Sequence, residues 1–68
     1  MSEILFLIET SPEGGYTARA LGHSIFTEAD SLPELRLNVQ DAVHCHFEES
    51  DKPKVIRLHI VQDEILAA

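Results

Sequence analysis

Glu3-Ile4-Leu5-Phe6-Leu7-Ile8-Glu9 sets five large apolar residues in a row between two acids. A strand with one wet face alternates apolar and polar positions, and this run does not. Both of its faces therefore need cover, as in a strand inside a sheet. The residues that follow, Thr10-Ser11-Pro12-Glu13-Gly14-Gly15, form a turn: proline presets φ and the glycine pair permits positive φ. Tyr16 to Ala20 then alternates, with Tyr16, Ala18 and Ala20 on one side and Thr17 and Arg19 on the other. That pattern predicts a second strand with one solvated face. Leu21-Gly22-His23 makes another tight connection. Ser24 to Ala29, with Ile25, Phe26 and Thr27 at its centre, predicts a third strand.

Beyond these strands the period changes. Ser31-Leu32-Pro33-Glu34 has the Ser-x-x-Glu form of a capping box, in which the Ser31 hydroxyl accepts from the backbone and Glu34 reaches back. Pro33 falls in the first turn, where a missing N–H costs nothing. At about 100° per residue, Leu32, Leu35, Val39, Ala42, Val43 and His46 share one stripe, with Phe47 at its edge. Asp41, His44 and Glu48 point the other way. This predicts a helix ending near Ser50, before Asp51-Lys52-Pro53. In Val55 to Val61, Ile56, Leu58 and Ile60 alternate with Val55, Arg57, His59 and Val61, which predicts a fourth strand with one apolar and one mixed face.

The order β-β-β-α-β predicts an α+β fold, a four-stranded mixed sheet with one helix on one face. Three strands joined by short turns make an antiparallel meander, and the helix crosses over to deliver the fourth beside the first, parallel to it. The first strand is then central. A lone helix leaves the other sheet face bare, and 68 residues make too small a core to leave apolar surface wet. Self-association into a dimer or tetramer is the expected remedy. The expected contacts are Leu5 and Leu7 on the bare face and Arg57, His59 and Val61 on the last strand. Residues 1–68 are read as one domain, with 62–68 as its tail.

Composition narrows the function classes. Twelve Asp and Glu against five Lys and Arg give a net charge of −7. A duplex-binding surface needs several phosphate-neutralising cations, so direct DNA binding is not expected. An acidic chain suits a basic protein partner, since opposite fields speed encounter. The charge is uneven: residues 1–51 balance at −8, and residues 52–68 at +1. Four histidines would carry the charge from −7 toward −3 if all were protonated. No apolar run approaches the roughly 20 residues of a membrane helix. A single Cys45, and a start with no basic secretory leader, point to a reducing cytoplasm.

Candidate chemistry is sparse. His44-Cys45-His46 cannot converge on one ion, because consecutive helical side chains diverge by about 100°; Cys45 reads instead as a small, half-buried residue. A better-spaced metal set would be His44 with Asp41 and Glu48, completed by another subunit. Metal or ligand binding by the helix histidines at a subunit interface is accordingly the alternative reading. Glu9, Glu48 and Asp63 stand near element ends but spell out no two-metal nuclease site. No catalytic residues and no cofactor are expected, and the chain is read as non-enzymatic.

These residues together resemble a known family. Glu13-Gly14-Gly15-Tyr16-x-Ala18, after an apolar first strand, is similar to the opening of HicB-like antitoxin domains. Asp30-Ser31-x-x-Glu34-Leu35, followed by Asn38 and Asp41-Ala42-Val43, resembles that family's helix start. The likeness spans about residues 3–61. It implies a partial RNase H-like fold without the nuclease centre and a small basic, RNA-cleaving HicA-like toxin as partner. The chain departs from the family pattern in two places. Leu21-Gly22 stands where a longer Pro-x-Leu-Pro-Gly loop is usual, and no ribbon-helix-helix or helix-turn-helix segment follows Val61.

Overall fold

The computed structural model describes residues 2–68. It comprises β1 (Glu3–Thr10), β2 (Tyr16–Ala20), β3 (Phe26–Ala29), α1 (Leu32–His46) and β4 (Val55–Val61), followed by a tail without regular structure. The sheet order is β3-β2-β1-β4, antiparallel except for the parallel β1–β4 pair. The α+β, β-β-β-α-β architecture expected from the pattern is the one observed, with β1 central. No helix among the described residues is long and apolar enough to cross a membrane.

Alternation divides the sheet into two faces. Ile4, Phe6 and Ile8 of β1 join Ala18 and Ala20 of β2 beneath Leu35, Val39 and Val43 of α1, and all are buried. Tyr16, Ala29, Leu32, Ala42, Phe47, Ile56 and Leu58 pack around this core. The helix lies over β2 and β3 rather than over β4, so Ile60 on the helix side of β4 stays 43% exposed. Asn38 Nδ2 donates to the Glu28 carbonyl at 3.2 Å and ties α1 to β3.

The helix start is built as its sequence implies, with one shift. The Glu34 N–H donates to Ser31 Oγ at 3.3 Å, while Glu34 Oε1 accepts from the N–H of Asp30 at 3.1 Å, one residue before the cap. The box thus also pins the end of β3 to the helix. Ser31→Ala should cost about 1 kcal/mol, read as a lower urea midpoint at unchanged slope; an unchanged midpoint would mean that solvent replaces the cap at no loss.

Four element ends, on three elements, differ from expectation. β1 extends beyond Ile4–Ile8 to Glu3 and Thr10, because both ends find strand partners, Val55 and Tyr16 respectively. β3 begins at Phe26 rather than Ser24; Ile25 is nevertheless buried, and its carbonyl accepts from Ala20 N–H at 3.0 Å. The helix stops at His46, not near Ser50. Phe47 turns to extended backbone (φ −110, ψ 146) with its N–H still on the Val43 carbonyl, which lets its ring pack on the core.

Candidate functional site

The face away from the helix is built by the odd-numbered residues of β1 and their neighbours. Pairing sets Leu5 beside Arg57, Leu7 beside Arg19 and His59, and Glu9 beside Thr17 and Val61. Phe26 lies next to Arg19 on β3. Leu5 and Leu7 are half-buried between their neighbours, while Phe26 is 61% exposed and Val55 and Val61 lie open at the β4 edge. All five residues predicted as contacts, Leu5, Leu7, Arg57, His59 and Val61, therefore occupy one face. An apolar centre with a mixed rim is the layout of a protein contact surface. Arg57 Nε donates to Glu3 Oε1 at 2.7 Å; at this exposure the pair orders the rim and adds at most about 1 kcal/mol.

The helix candidates fare differently. Among the described residues no three His, Cys, Asp or Glu side chains form a group that could hold a metal ion, so Asp41, His44 and Glu48 are not brought together. Glu48 lies past the helix end, which removes the spacing that motivated the set. His44 Nδ1 instead lies 3.2 Å from Lys52 Nζ, itself 3.5 Å from Glu49. Cys45 is exposed, not half-buried, and His46 is exposed rather than filling the end of the apolar stripe. Both belong to the last turn of α1 and lie outside its buried stripe of Leu35, Val39 and Val43. His46 stands edge-on to Phe47 (centroids 4.8 Å) and to His23 of the β2–β3 turn (6.1 Å).

A second feature has no local signal in the sequence. Glu13, Glu28, Asp30 and Glu34 come from the β1–β2 turn, β3 and the helix start. With Ser11, Gly14, Tyr16 and Ala29 they line a shallow recess of about 460 Å³. Gathered at one end of the molecule, these carboxylates concentrate negative potential there. A smaller apolar groove of about 200 Å³ runs between α1 and β4, lined by Arg36, Val39, Gln40, Ile56 and Leu58.

No family model matches the chain, and no solved structure does. Similarity to curated proteins is clear. A UPF0150 protein of Archaeoglobus fulgidus is 62% identical over 52 residues, covering 76% of this chain and 77% of the relative. A UPF0150 protein of Thermotoga maritima is 40% identical over 65 residues, covering 96% of this chain and 91% of the relative. With a likeness of this strength over nearly its whole length, the chain belongs to the family of UPF0150 proteins.

Proposed function

We propose that the chain is a non-enzymatic protein-interaction module of the HicB antitoxin type, acting as a homo-oligomer and neutralising a small basic, HicA-like toxin. The observation that carries this reading is the uncovered sheet face. Leu5 and Leu7 sit at the middle of the sheet, on the central strand, where a domain of ordinary size would place a second layer. Exposed apolar patches rimmed by polar residues mark contact sites. The net charge of −7 and the four carboxylates around the recess favour encounter with a basic partner and supply acceptors for its Arg and Lys side chains. The turn and cap motifs that resemble HicB-like domains support the same assignment.

The test is co-expression with the product of a short basic reading frame adjoining the gene. The two proteins should co-elute, and the chain should suppress RNA cleavage by the purified partner. Leu7→Asp, which sets a charge in the middle of the face, should lower affinity about 100-fold or more while leaving the circular dichroism spectrum unchanged. Separate elution, with RNA cleaved at the same rate in the presence of the chain, would overturn the proposal.

A further inference from the structure

β4 is an unprotected edge. It is seven residues long and has a neighbour on one side only, so the outward N–H and C=O groups of alternate residues are free to template another strand. Natural edges are blunted by brevity, proline, bulges or free charge. β3, at the opposite edge, has four residues. β4 carries no proline, and its one formal charge, Arg57, is held by Glu3.

The strand also reads nearly the same in both directions: Val55-Ile56-Arg57-Leu58-His59-Ile60-Val61. A two-fold contact requires a surface complementary to itself. Antiparallel pairing of two β4 strands about Leu58 sets Ile56 opposite Ile60 and Val55 opposite Val61, with Leu58 facing its own copy. On the helix side the apolar row continues across the axis, while on the other face Arg57 stands opposite His59 of the second copy, between the two Val55–Val61 pairs. The flanks match in charge. The same register carries Gln62 past Lys54, and Glu64 past Lys52, of the second copy, so the acidic start of each tail runs along the basic approach to the other β4. The tail is fully exposed in one chain, with Ile65 95% and Leu66 76% accessible. The molecule's 51 Å length, against 21 and 19 Å across, shows it projecting beyond the sheet.

We propose that the second copy of this chain docks edge to edge on β4, antiparallel about Leu58, doubling the four-stranded sheet. The proposal rests on the self-association proposed above and names its surface; the bare face around Leu5 and Leu7 stays free for the other partner.

The experiment uses the full chain with Cys45→Ser as background. Leu58→Cys on this background should form a disulfide-linked dimer under mild oxidation, since facing residues of an antiparallel pair lie about 4.5–5.5 Å apart at Cα, within disulfide reach. Leu7→Cys should not. Independently, Asp63→Lys with Glu64→Lys, both in the exposed tail and remote from the core, should weaken the dimer about tenfold by sedimentation. Adding Lys52→Glu and Lys54→Glu should restore it. A chain that dimerises without Leu58→Cys crosslinking, or whose dimer ignores the tail charges, overturns the edge contact and leaves the interaction-module reading standing. A chain monomeric at about 100 μM overturns this contact together with the homo-oligomer.

Discussion

Replacing Phe6 with alanine is expected to leave most of the chain unfolded at 25 °C. Phe6 is fully buried in the middle of the central strand, under the helix residues Leu35 and Val39. Truncating a buried phenylalanine costs about 3–5 kcal/mol, through lost transfer free energy and the cavity left behind. A 68-residue domain holds roughly 3–10 kcal/mol in all, at about 0.05–0.15 kcal/mol per residue. The loss is thus of the same order as the total. Far-UV circular dichroism and urea titration read it directly; a midpoint near that of the parent would show that Phe6 is not in the core. The adjacent residue supplies the contrast. Leu7 points to the bare face and is half-buried, so Leu7→Ala should cost only about 1 kcal/mol in dilute protein. If a second chain covers that face, the cost grows with protein concentration, because binding stabilises only the folded state.

The pairing of these two residues shows why so much of the fold is legible. The unbroken Ile4–Ile8 run carries no alternation, and that lack marks β1 as central before any pairing is known. The alternation in Val55–Val61 assigns Ile56 and Leu58 to the helix side and Arg57 and His59 to the bare side. Once β4 lies parallel to β1, this is enough to gather all five predicted contact residues on one face. The helix end was less legible for a definite reason. Phe47 fits the apolar period and so extends the predicted helix, but its ring gains more by leaving the helix and packing on the core. The collapse of the Asp41–His44–Glu48 spacing follows from that tertiary choice, since Glu48 lies past the helix end. The acidic recess had no legible signal at all. Its carboxylates come from separate segments and meet only because the Gly14-Gly15 turn, β3 and the cap of α1 converge at one end of the sheet.

That convergence makes Gly15 the position where the smallest substitution should do the most harm. Gly14 and Gly15 both hold positive φ, +97° and +83°, a region that costs an L-residue about 1–2 kcal/mol. Their surroundings differ. A Cβ on Gly14 would meet nothing within 4 Å, whereas one on Gly15 would lie 2.8 Å from the carbonyl oxygen of Ala29 and 3.5 Å from the Cα of Asp30. Those are backbone atoms, and they cannot swing aside as a side chain would. Ala29 is paired with Tyr16 in the sheet, and the Asp30 N–H is held by Glu34. Relief would have to come from parting β3 from the turn, which loosens the helix start as well. Gly14→Ala should therefore cost about 1 kcal/mol, from φ alone. Gly15→Ala should cost about 3 kcal/mol, the φ strain plus the overpacking of a rigid site. Urea titration of the two variants side by side separates the terms, since the change in the unfolded chain is the same for both. Equal midpoints would mean that the turn does not press against the end of β3, and that the recess between them is wider than the structure has it.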